Sequence, residues 1–174
     1  MSGSETRSRR IRHLPFTRKN FAPFGDVIAA TGAHHYPINA GTTERYHDLA
    51  RLEAIGPSAR QLISIFRGLP RTLPMQIVMM ERHPLGSQGF FALQREPWMV
   101  VLAPDMAGKP GDPVAFLVEP DEFGLCGVNY HRNIWHHPLI ALEKVCDFLV
   151  VDRGGEGNNL QEYSYPEPWL LERA

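Results

Sequence analysis

Cysteine is scarce in this sequence: Cys126 and Cys146 are the only two, with no C-x-x-C spacing. That excludes a disulfide framework and a zinc–thiolate site, and it fits a chain kept in a reducing cytoplasmic compartment. Both lie in apolar, strand-like sequence and read as core filler. An excess of either charge is also missing. The 18 Lys and Arg nearly match the 19 Asp and Glu, so the basic surplus of a nucleic-acid binder is not there. No apolar run approaches the roughly 18 residues that would cross a membrane as a helix. The Arg-rich opening, Arg7 to Arg12, leads into no apolar stretch, so a secretory leader is not expected and residues 1–15 read as a flexible lead. Repeats, low-complexity tracts and linkers are absent, and one domain is expected over residues 1–174. Neither a nucleophile elbow nor a phosphate-cradling glycine loop occurs, which leaves a serine or cysteine nucleophile without support.

What is present is punctuation. Fifteen Gly and fifteen Pro are spread along the chain, the pattern of short strands joined by tight turns. Thr17 is placed to cap one short helix before a strand at Asp26–Ala30. Further strands are predicted at Gln61–Arg67, Met75–His83, Gln88–Leu93, Trp98–Ala103, Val114–Val118 and Leu142–Asp152. The polar, then proline-rich, tail after Gly154 is expected to wrap the surface. The fold class is mainly β, a sandwich or barrel with few short helices.

Four clusters carry chemistry: Ile38–Leu49, Glu81–Gln88, Gly127–Leu139 and Asp152–Gly155. Glu81 and His83 are two apart on a strand and so project from one face. With Gln88 they form E-x-H-x4-Q, which imitates the H-x-H-x4-E arrangement by which cupin barrels hold a divalent metal. His136 stands where the last histidine ligand would come from the second half of the barrel. Oxygen and imidazole ligands suit borderline divalent metals. The alternative is a metal-free pocket in which the same groups bind substrate and His83 and His136 serve as acid and base. Of the adjacent His136 and His137, one at most is expected to face the interior. Arg45, Arg67, Arg82 and Arg132 are candidate carboxylate clamps, with Arg82 facing away from Glu81; His131 is a candidate turn residue with a direct role.

The motifs ERHPLGSQ, GVNYHRNIWHHPL and FLVVDRGG, in that order and spacing, closely resemble the ureidoglycolate lyase family of allantoin degradation. The resemblance runs from about Phe21 to Gly155. It implies a single cupin-like, double-stranded β-helix barrel, usually a cytoplasmic homodimer, converting (S)-ureidoglycolate to glyoxylate and urea. It implies a divalent metal, nickel being the one named. The implied site has Glu81, His83 and His136 as catalytic residues, and these with Gln88 as metal ligands. Gln88, Asn39, Arg67, His131 and Arg132 are the implied substrate contacts. One position departs from the pattern: family members tend to read Ile-Asn-Asn-Gly where this chain has Ile38-Asn39-Ala40-Gly41. The rival classes are another metal-dependent cupin enzyme and a non-catalytic cupin that binds small carboxylates.

Overall fold

A computed structural model describes residues 9–173 of the chain. It opens with Arg9–Arg10 (β1) and Arg12–His13 (β2), then a one-turn helix, Arg18–Phe21 (α1), and Gly25–Ile28 (β3). A hairpin of His35–Ile38 (β4) and Thr43–Tyr46 (β5) turns through a 3-10 segment at Asn39–Gly41. Next come Arg60–Gly68 (β6), Met75–Arg82 (β7), Gln88–Ala92 (β8) and Trp98–Ala103 (β9). The short Asp105–Met106 (β10) and Lys109–Pro110 (β11) precede Val114–Val118 (β12), Gly127–Tyr130 (β13), Trp135–His136 (β14) and Ile140–Ala141 (β15). Cys146–Gly154 (β16) and Gln161–Leu171 (β17) complete the order.

Two sheets build a nearly closed, cupin-like β-barrel. The larger has the order β1-β17-β7-β14-β9-β12-β2, with β15 also on β9; the smaller has the order β3-β13-β8-β16-β6. Period-two alternation explains why β9 lies deep in the fold. Trp98, Val100 and Leu102 point into the core between the sheets, while Met99, Val101 and Ala103 enter a second core on the other face. Phe148 packs edge to face with both Phe90 and Trp98 in the inter-sheet core, its ring centroid 4.8 Å from that of Trp98. Burying each such side chain contributes about 1.5–3 kcal/mol. Cys126 and Cys146 are buried and free, as core filler should be.

Two expectations are corrected. The lead was expected to stay loose to residue 15; residues 1–8 of it lie outside the described residues. Beyond them, β1 pairs parallel to β17 and β2 parallel to β12, with Ile11 buried between them. The tail does not merely wrap the surface, because the 11-residue β17 pairs with β7 on both sides of a register break. Trp169 and Leu171 anchor it in the second core. Pro166 and Pro168 fall in the register break between Ser164 and Trp169, where a missing N–H costs no ladder bond.

Candidate active site

The site begins where β7 ends. Glu81 lies directly opposite His136 in the β7–β14 pairing, and His136 opposite Leu102 on β9. Leu102 belongs to the inter-sheet core, so this face of the larger sheet is the barrel interior. Alternation then turns Arg82 outward, as its position predicts. There it bonds Asp105 at 2.7 Å and lies 4.5 Å over the Trp135 ring.

Glu81, His83 and His136 offer ligand atoms all within 4.8 Å of one another. His136 Nε2 is 3.5 Å from Glu81 Oε1, and the two imidazole centroids are 5.0 Å apart. Each imidazole is oriented by its other nitrogen. His83 Nδ1 donates to Asn159 O at 2.7 Å and His136 Nδ1 to Ile134 O at 3.0 Å. Both Nε2 atoms are thereby left as lone pairs, buried and without hydrogen-bond partners. A backbone carbonyl behind each ring, with the opposite nitrogen open, is how proteins prepare histidine for a metal. The donor set, two imidazoles and a carboxylate, fits a divalent transition metal.

Electrostatics favour the same forms. His136, with Nε2 3.5 Å from the carboxylate, holds the Glu81 carboxyl below its ordinary range, against a rise from burial. Burial holds His83 below its ordinary value, and the neighbouring His136 adds to this. An ionised carboxylate beside a neutral imidazole is what ligation requires.

The remaining expected residues divide. Gln88 is buried on β8 of the facing sheet, paired with Tyr130 and on the same face as Phe90, so it looks into the barrel. Arg132 reaches the turn after His83, its Nη1 donating to Pro84 O at 3.3 Å. His131 is turned to Asp26, 3.1 Å away, and not to the cluster. Arg67 lies on the outer face of β6 and is held in a bidentate pair with Asp147 at 2.8 and 2.9 Å. Asn39 sits at the exposed tip of the β4–β5 hairpin, donating to Thr43 at 3.3 Å. None of these last three is brought to the cluster within this chain. Of the adjacent pair, His136 joins the cluster and His137 does not, though both are buried. Burial holds His137 below its ordinary value too.

Sequence reasoning missed three residues. Tyr130 packs its ring 4.8 Å from His136 and has a fully buried hydroxyl without a partner; burial, then the Glu81 charge, push its pKa up. Asp152, on β16, also has a buried unpartnered oxygen, and its charge acts on His83. Asn159 orients His83 and, through its side chain, the Leu85 N–H at 2.8 Å. Tyr130 and Asp152 lie inside two of the four clusters, and inward alternation from Val128 and Val150 was the available signal.

A cupin-like barrel with an inward Glu-His-His set defines a metal-competent small-molecule site of the kind found in barrel enzymes. The model of the ureidoglycolate lyase family matches residues 8–172, and the chain belongs to that family. A ureidoglycolate lyase of Mesorhizobium japonicum is 53% identical over 93% of this chain and 97% of its own length. One from Chelativorans is 51% identical over 94% and 96%, and one from Brucella melitensis 56% over 88% of each. Among solved structures, a dTDP sugar isomerase of Desulfovibrio desulfuricans overlays at a TM-score of 0.41. It shares 15% identity over 83% of this chain and 87% of that one, too loose an overlay to bear on function.

Proposed function

We propose that the chain cleaves (S)-ureidoglycolate to glyoxylate and urea, as a carbon–nitrogen lyase of the amidine-lyase type in allantoin breakdown. The observation that carries the reading is the pair of open Nε2 atoms beside Glu81, in a chain so close to proteins named for this substrate. The reaction is a carbinolamide collapse. The substrate hydroxyl loses its proton, the C=O of glyoxylate forms, the C–N bond breaks, and the urea nitrogen gains a proton.

Glu81, His83 and His136 would hold a divalent metal, which supplies Lewis acidity toward the substrate's oxygen atoms. The protein's own groups do the remaining work. Asn159 and the Ile134 carbonyl fix the two rings, so the cluster needs little rearrangement on binding. Arg132 would pair with the substrate carboxylate at the edge of the cluster, a role supported by its partly buried place beside the Pro84 turn. Gln88 offers an amide donor and acceptor from the opposite wall. Acid and base assistance to such a collapse typically contributes about 10²–10⁴-fold each.

The cytoplasmic location rests on the cysteine usage, and a homodimer rests on the free edge of β6. Among the described residues that strand pairs only with β16, and it exposes Ile63 and Ile65 at 73% and 57%. The test of the reaction is product analysis on racemic ureidoglycolate, with and without chelator. Glyoxylate and urea are expected in equal amounts, with no ammonia and with activity lost to the chelator. Stoichiometric ammonia would mean that the ureido group itself is hydrolysed, and would overturn the reading.

A further inference from the structure

The wall facing the Glu81–His83–His136 cluster carries polar groups to which the reaction above gives no task. β13, β8 and β16 are consecutive in the smaller sheet. Tyr130 pairs with Gln88 across the first two strands. Val151 pairs with Gly89 across the second two, which sets Asp152 beside Gln88. The three side chains therefore form one row across three strands. All face inward, since directly paired residues share a face and Phe90 and Val150, two positions away, are core.

The ends of this row are its unusual part. Tyr130 is 2% exposed, and its hydroxyl has no partner; Asp152 Oδ1 is also buried and unpartnered. Buried polar atoms are nearly always satisfied, so an orphan asks for a ligand or a solvent molecule. Both orphans border the same space as the cluster. The Tyr130 ring lies 4.8 Å from His136, and the Asp152 charge is felt at His83. One end offers a neutral O–H donor and the other an anionic acceptor. A carboxylate would be repelled by Asp152. A ureido group matches both ends, having a carbonyl oxygen to accept and N–H groups to donate.

We propose that Tyr130 and Asp152 form the subsite for the ureido end of the substrate. Tyr130 donates to the carbonyl oxygen and Asp152 accepts from the N–H groups, while the carboxylate and hydroxyl lie toward the cluster and Arg132. The assignment rests on the ureidoglycolate reading and adds the orientation of the substrate and the residues that select it.

The test is calorimetric binding of two non-cleavable probes to the full chain as purified. N-carbamoylglycine carries a carboxylate and a ureido group; glycolate carries a carboxylate and a hydroxyl but no ureido group. In Tyr130→Phe and in Asp152→Asn, N-carbamoylglycine is expected to bind about tenfold more weakly, one hydrogen bond's worth, and glycolate to be unchanged. Melting temperature and metal content should stay at wild-type values, because an unpartnered hydroxyl has no structural bond to lose. Unchanged N-carbamoylglycine affinity in both variants would overturn the subsite. So would equal weakening of both probes, or a fall in melting temperature with loss of metal, which mark a structural role. Failure of the wild-type chain to release glyoxylate and urea would instead sink the reaction while leaving the binding comparison to decide the subsite.

Discussion

His83 and His136, from opposite halves of the chain, meet with ring centroids 5.0 Å apart, each pinned by Nδ1 to a backbone carbonyl and each presenting a buried, unpartnered Nε2. Among the described residues nothing else satisfies those two nitrogens. Their pairing makes sense as a ligand set completed by Glu81.

Replacing either histidine by alanine should therefore abolish metal content together with turnover. Water substituted for a lost imidazole changes the ligand set and its geometry. Elemental analysis and turnover, measured side by side on His83→Ala and His136→Ala, check this. Full metal content with turnover lowered by about 10²–10⁴-fold would point to acid–base roles instead. Near-normal turnover in both variants would remove them from the site.

Acid sensitivity should be partly traceable to Asp26. Burial raises its carboxyl, but hydrogen bonds from Asn129, the Arg51 N–H and His131 outweigh this and hold it below the ordinary 3.8. A carboxyl lowered in the folded state contributes stability that is full above its unfolded pKa and is lost as pH falls through the folded one. Asp26→Asn should melt below wild type at pH 7 and converge with it toward pH 3. Melting temperatures across that range decide it; parallel curves would refute the assignment.

Arg153 should prove structural in spite of its place beside Asp152. It is 7% exposed, and its guanidinium donates to the carbonyls of Ile55 at 2.8 Å, Glu156 at 2.6 Å, Gly155 at 3.3 Å and Pro57 at 3.4 Å. Arg153→Met strips these bonds from two loops and should cost about 2–3 kcal/mol. Gly86→Ala should also destabilise, since its added Cβ would lie 2.5 Å from Arg153 Cβ. Urea unfolding midpoints read both effects.

Ala40, where the resemblance implies an asparagine, sits at a left-handed position, φ 54° and ψ 32°. Asparagine tolerates that region better than alanine, by up to about 1 kcal/mol. Ala40→Asn should raise the melting temperature without altering turnover, because the residue is exposed at the hairpin tip. A loss of stability would show that the turn conformation does not favour asparagine here.

If the free edge of β6 is the dimer contact, Ile63→Lys combined with Ile65→Lys should yield a monomer. A long apolar edge strand is a ready pairing surface, and inserted lysines are how natural sheets block one. Sedimentation mass settles it: a wild-type mass near that of one 19.7 kDa chain would reject the dimer, and a variant that stays dimeric would move the contact elsewhere.

Sequence by itself determined the β class, most strand positions and the Glu81–His83 pair. Period-two alternation and glycine–proline punctuation are local signals, and Glu81 and His83 share a face wherever that strand is placed. The motif order determined the family. Tertiary structure alone decided which face of each strand is the inside and which strands are neighbours. That is why Arg67, a plausible clamp by residue type, turned outward to Asp147, and why the proline-bearing tail became a strand on β7. It is also why Tyr130, Gln88 and Asp152, remote in the chain, form one row over the cluster. Long-range register is fixed by burying all the apolar faces at once, and no single segment carries that information.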